Sequence, residues 1–178
     1  MSIVTQILAT DVALIGEPRG FLRGTHLMTP TGWRAVEELK AGDVVSCCKE
    51  QPVTITRVTR SMVVRTGMKV VAVAGEARGW DRAAAPLLLP LGQMIVVAGD
   101  ALAAYFGVEE ALAPIGSLVN GQDLRLIDAP PADTWFEIET DTPCALVIEG
   151  LQVAVGRAGR DTRPALTDAE ARLLSLAA

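Results

Sequence analysis

The chain has 178 residues, enough for one domain that buries roughly 70% of its unfolded surface without a disulfide or metal staple. Half of its residues are hydrophobic but only 4% are aromatic, so the core has to be assembled from Val, Leu, Ile and Ala. A formal charge of -5 with no Lys/Arg run argues against a nucleic-acid partner, which needs a cationic footprint for phosphates.

The first twenty residues, MSIVTQILATDVALIGEPRG, lack a basic leader and a long apolar run. They read as neither a signal peptide nor a membrane span, which makes the cytoplasm the expected location. Their alternating IVTQILA segment predicts a strand that extends the domain. Turn signals then recur about every ten residues: Thr29-Pro30-Thr31-Gly32, Ala41-Gly42-Asp43, Gly75, Asn120-Gly121, Ala129-Pro130-Pro131 and Gly150. Between them lie short β-branched runs, and strands are predicted over Val53–Val64, Lys69–Ala74, Gln93–Ala98, Asp123–Asp128, Trp135–Thr140 and Ala145–Gly150. Helix is scarce. Gly99–Gly107 has Ala and Leu at helical spacing and a closing glycine, and Thr167-Asp168-Ala169-Glu170 is a capping box that opens a short C-terminal helix. The charged, Gly-rich stretch Gly156–Ala165 ahead of it reads as a flexible connector. The expected organisation is an N-terminal strand or extension over 1–19, an all-β domain over 20–155, and a connector with a short helix over 156–178.

Cys47, Cys48 and Cys144 are odd in number and have no framework spacing, and no histidine lies near a cysteine. Buried reduced thiols are the expectation, with neither a metal site nor a cofactor.

The segment GFLRGTHLMTPTGWRAVEELKAGDVV carries Phe21, Gly24, Thr25, Thr29, Gly32, Val36, Glu37, Leu39, Gly42 and Asp43. In that register it resembles the first block of the Hint (Hedgehog/intein) superfamily, in particular a bacterial Hint-like family common in α-proteobacteria. LPLGQMIVV, YFGVEEALAP and SLVNG are similar to a second set of family segments, and FEIETDTPCALVIEGL, with Asp141, Glu149 and Gly150 in place, to a third. The resemblance covers about residues 20 to 155. It implies a Hint fold, an all-β, horseshoe-like arrangement of curved strands with pseudo-two-fold symmetry.

It also implies a chemistry. Hint self-processing begins when a Cys or Ser side chain attacks the carbonyl of the residue before it, and a histidine protonates the departing amide nitrogen. Here the family's nucleophile aligns with Gly20, and its two histidines align with Gly92 and Pro143. None of these can transfer a proton from a side chain. Substitutes are poor. His26 is the only histidine and lies next to Thr25, but successive side chains of a strand face opposite ways. Cys47 would have to reach in from a neighbouring strand, and turn hydrogen bonding accounts for Thr25. Trp33, Trp80, Trp135, Tyr105 and Phe106 read as core or edge fillers rather than a groove. The carboxylates Asp43, Glu109, Glu110, Glu137, Glu139 and Asp141 read as solvated faces rather than an acid/base pair.

The expectation is therefore a Hint-fold domain without self-cleavage, acting as a binding, regulatory or structural module for an unidentified protein or peptide. The alternative is an autoprocessing domain with Thr25 or Cys47 as a non-standard nucleophile. The oligomeric state stays open.

Overall fold

Where burial alternates along a strand one face is committed to the core, and Pro52–Val63, a strand of twelve residues, changes that commitment halfway. Val53 and Ile55 point into the main core, residues 56–60 are more open, and Ser61 and Val63 turn inward again. One strand thus serves two apolar clusters, which requires it to twist and bend. The computed structural model describes residues 12–15, 18–47, 51–63, 66–155 and 162–177. The predicted strand in IVTQILA lies outside them, as do Cys48 and the first part of the connector.

The long strand is β6 in chain order. Before it come β1 (Val12–Ile15), β2 (Phe21–Leu22), β3 (His26–Thr29), β4 (Gly32–Ala35) and β5 (Val44–Ser46). After it come β7 (Lys69–Val73), β8 (Leu87–Pro90), β9 (Met94–Ala98), β10 (Glu110–Pro114) and β11 (Leu124–Asp128). The last three are β12 (Thr134–Thr140), β13 (Cys144–Ile148) and β14 (Leu151–Val155). They form three sheets, ordered β1-β6-β12-β2 with β5 also on β6, β10-β9-β14-β13-β3-β4, and β11-β7-β8. The pair β6–β12 changes register between Glu139 and Thr140, the irregularity expected where a strand bends. This curved all-β framework is the predicted fold class. Among the described residues two helices complete it, α1 (Asp100–Phe106) and α2 (Asp168–Ala177). The capping box at α2 forms as read: the Thr167 N–H and hydroxyl donate to Glu170 Oε2 at 2.7 and 2.8 Å, and the Glu170 N–H returns to Thr167 Oγ1 at 3.3 Å. Those two donors hold the Glu170 carboxyl below its ordinary range.

The main core gathers Phe21, Leu27, Ile55, Leu89, Leu102, Ile115, Ile138, Leu146 and Ile148. A smaller cluster of Val63, Val70 and Trp135 sits beside it. With few aromatics in the chain, the fully buried Trp135 and Phe21 are the bulkiest side chains of the interior.

The most constrained point of the framework is the two-residue loop between β13 and β14. Ile148 pairs with Leu151, and Glu149 and Gly150 between them have φ of 44° and 86°. Left-handed backbone at both loop positions is the turn whose twist matches a tight hairpin. At position 150 a Cβ would collide with the Arg78 carbonyl and lie 3.1 Å from the Trp80 indole nitrogen, so only glycine fits. At position 149 a glutamate adopts the strained conformation, and its side chain shows why. Glu149 Oε2 accepts from the Arg78 guanidinium at 2.7 Å, and Oε1 accepts the His26 backbone N–H at 3.0 Å. The Arg78 side chain is completely buried. It donates further to the carbonyls of Glu149 at 3.2 Å, Ala85 at 2.7 Å and Ala74 at 3.4 Å, and its guanidinium lies 5.1 Å from the Trp80 ring centre.

Removing one partner of a buried ion pair strands the other charge, which costs about 3–5 kcal/mol. Arg78→Ala is expected to lose stability in that range, measured by urea unfolding. Arg78→Lys is expected to recover only a minor part, because an ammonium cannot reach four acceptors in the planar fork.

Candidate functional site

The candidate site is the Arg19–Gly20 peptide and the elements around it. β2 begins one residue later, with Phe21 opposite Phe136 and Leu22 opposite Trp135 on β12. Continuing that register places Gly20 opposite Glu137. The contact is close. Gly20 has φ of +72°, and a Cβ built on it would run into the Phe136 carbonyl oxygen and approach Glu137 Cα to 2.7 Å. The position that the resemblance assigns to the nucleophile therefore lacks a side chain and also the room for one.

Gly92 lies exposed in the turn between β8 and β9, and its Cβ would meet nothing. The side chain that this turn sends inward is the next one. Gln93 Nε2 donates to the Ala154 carbonyl at 2.7 Å, while the Gln93 N–H donates to Pro90 at 3.0 Å. An amide in that place can donate a hydrogen bond but cannot shuttle a proton at neutral pH. Pro143 is half-buried in the turn between β12 and β13.

The ladders relate two of these positions. Ile95 pairs with Val153, and Val153 with Leu146. Two residues outward, Gln93, Val155 and Cys144 fall in line, so Gly92 and Pro143 flank the same end of one sheet. β14 separates them by two strand spacings, about 10 Å. Gly20 belongs to the adjoining sheet on β12. Its neighbour β2 packs against β8, the strand that leads into the Gly92 turn.

The proposed substitutes are placed elsewhere. Thr25 is buried at the turn after β2, its N–H bonded to Leu22 at 3.1 Å and its carbonyl to Val36 at 2.8 Å. Cys47 is buried and bridges antiparallel to Leu146. His26 sits on β3 opposite Ala35, with its side chain about half exposed and Nδ1 3.6 Å from Glu149 Oε1. Thr25 and His26 thus face opposite ways, as the strand argument requires.

The carboxylates hold structure. Asp43 Oδ2 caps the Lys40 N–H at 3.0 Å, Asp141 Oδ1 accepts from the Thr54 N–H at 3.1 Å, and Glu139 lies 3.8 Å from Arg57. The aromatic residues separate into Trp33 against Trp80, with ring centres 5.6 Å apart, Tyr105 against Phe106, and the buried Trp135. Among the described residues no group of three or more His, Cys, Asp or Glu is placed to hold a metal ion. No helix among them is long and apolar enough to cross a membrane.

Sequence reasoning missed Arg78 and Gln93. Arg78 gives no signal, because an arginine in a polar loop is by default solvated. Glu149-Gly150 did carry one, since a residue followed by glycine between two apolar runs marks a two-residue hairpin.

Comparison with known proteins agrees with this geometry. The Hint domain family matches residues 19–154. Among solved structures, the chain is similar to a bacterial intein-like domain from Clostridium thermocellum, at 16% identity and a TM-score of 0.53. That match covers 78% of this chain and 99% of the other. The MchDnaB-1 intein is similar at 15% identity and a TM-score of 0.47, covering 77% of this chain and all of the intein. The zinc-bound Msm DnaB1 intein splicing domain matches at 14% and 0.46, over 77% of this chain and the whole of that one. No curated protein matches.

Because Gly20 is both left-handed and pressed against β12, restoring a nucleophile there is expected to fail. Left-handed backbone costs a residue with a Cβ about 1–2 kcal/mol before any collision is counted. Gly20→Cys and Gly20→Ala should both melt several degrees below the parent in thermal unfolding, and Gly20→Cys should stay uncut by intact mass.

Proposed function

The chain belongs to the Hint domain family, and on that premise we propose that it is a Hint scaffold that no longer cuts itself and serves as a binding, regulatory or structural module. The steric closure at Gly20 carries this reading. An acyl shift needs a nucleophilic side chain within reach of the Arg19 carbonyl, and this backbone leaves no space for one at the required residue. The amide of Gln93 and the ring of Pro143 support it further, since neither returns a proton to a departing nitrogen. No observation favours Thr25 or Cys47 as a replacement: Thr25 is committed to the turn at Leu22 and Val36, and Cys47 is buried opposite Leu146.

The reading also accounts for the residues ahead of Gly20. β1 runs parallel to β6, with Val12 opposite Arg60 and Ile15 opposite Val63. β2 lies beyond β12, on the other side of the β6–β12 pair, and the buried Pro18 stands between β1 and β2 in sequence. A segment that a self-cleaving domain would discard is here a strand of the sheet.

The test is the intact mass of freshly purified protein, untreated and after hydroxylamine or dithiothreitol. The full chain is expected in every sample. Appearance of a species short by Met1–Arg19 overturns the proposal and restores the autoprocessing alternative.

A further inference from the structure

The exposed turn Asn120-Gly121 lies between the 3-10 turn Ile115–Leu118 and β11. Asn120 is the only asparagine of the chain, and the loop is built on it. Its Oδ1 accepts the backbone N–H groups of Gln122 at 3.0 Å and Leu124 at 3.1 Å. Its own N–H and that of Gly121 share one acceptor, the Leu124 carbonyl, each at 3.1 Å. The Ala74 N–H ties the loop to the end of β7 by donating to the Asp123 carbonyl at 2.8 Å. We propose that Asn120 is a site of self-modification in the folded protein: the Gly121 backbone nitrogen attacks Asn120 Cγ, and the two amides on Oδ1 stabilise the charge this creates. The reaction does not shorten the chain and is independent of whether cleavage at Gly20 is lost.

The new N–Cγ bond closes a five-membered succinimide ring. The Cγ–Nδ2 bond breaks, and ammonia leaves with the proton that the Gly121 nitrogen gives up. Water then adds at one of the two ring carbonyls. Opening at Cγ gives an aspartate, and opening at the main-chain carbonyl gives an isoaspartate with one more carbon in the backbone. One water is consumed, one ammonia is released, and nothing is oxidised or reduced.

Nucleophile and electrophile sit on adjacent residues, so their encounter is intramolecular. Gly121 has no side chain, and even a Cβ there would meet nothing within 4 Å, so the nitrogen is uncrowded and water has access to the ring. Oδ1 becomes an oxyanion as Cγ turns tetrahedral, and each fixed N–H donor on an oxyanion is worth about a hundred-fold or more in rate. Against this stands the bond from the Gly121 N–H to Leu124, which has to be given up. An ordinary hydrogen bond is worth about ten-fold, and this one shares its acceptor. The two donors outweigh it. The products then differ. An aspartate keeps an oxygen under the same two amides and strengthens both bonds with its charge. An isoaspartate lengthens the backbone ahead of Gly121, which misaligns the Leu124 acceptor and the bond from Ala74 to Asp123 at the start of β11.

The experiment incubates the full chain in mildly alkaline buffer, either folded or unfolded in guanidinium chloride, and maps its peptides by mass. The folded chain is expected to exchange NH2 for OH at residue 120 at least about ten-fold faster than the unfolded chain. Aspartate and isoaspartate peptides should both appear, since only the ring gives the second. Gln122→Pro removes one donor from Oδ1 and should slow the folded reaction about a hundred-fold, with circular dichroism checking that the variant keeps its β signal. A folded parent that converts no faster than the unfolded one overturns the proposal, whatever the variant does. So does a product that is aspartate alone, or a folded Gln122→Pro chain that reacts at the parent's rate. Cleavage at Arg19–Gly20 would show instead as loss of Met1–Arg19 from the intact mass, so the two readings fail separately.

Discussion

A single buried guanidinium holds the architecture together. Arg78 lies just past the end of β7, in the three-stranded sheet, yet its donors end on the β13–β14 hairpin of the six-stranded sheet, on the loop that precedes β8, and on Ala74 beside its own strand. Taking such a charge out of water costs several kcal/mol, so it persists only where every donor finds an acceptor. Glu149 meets that demand, and in doing so accepts the strained backbone of the hairpin. The same carboxylate then receives the His26 amide, which ties β3 to the hairpin tip beyond their last ladder pair, Ile148 with Leu27. One ion pair thus joins two sheets and sets the position of the first hairpin.

His26 is oriented by Glu149, and Glu149 by Arg78, so the imidazole belongs to a structural chain that ends in the Trp80 and Trp33 pair. Glu137, on the opposite strand, falls beside Gly20 when the β2–β12 register is continued. The buried charges of Arg78 and Glu149 are spent on joining sheets.

Much of the framework was legible because the relevant signals are local. Strands β6, β7, β9, β11, β12 and β13 follow from β-branched runs between turn residues, α1 from its spacing and closing glycine, and α2 from Thr167 and Glu170. The strands that escaped lack that contrast. Leu87–Pro90 is an unbroken apolar run ending in proline, Glu110–Pro114 is built from Ala and Leu with no β-branched residue, and β14 follows β13 after only two residues. Of the site, the resemblance implies that Gly20, Gly92 and Pro143 stand at the family's nucleophile and histidine positions. The crowding of Gly20 by Phe136 and Glu137 could not be read in the sequence, because it depends on a strand more than a hundred residues away. Arg78 was invisible for the same reason, since its partner lies seventy-one residues later.

The distinction between a missing residue and missing room matters for how such a domain can change. A site that has lost only its nucleophile keeps a cavity, and one substitution can refill it. At Gly20 the strand β12 occupies the place that a side chain would take, and the left-handed backbone there belongs to the way β2 enters the sheet. A side chain there would require β2 and β12 to separate, and β12 is also the partner of β6 along nearly its whole length. β6 in turn carries β1, the segment that cleavage would remove. The close approach at Gly20 and the pairing of β1 with β6 are therefore two consequences of one packing, built around the β6–β12 pair.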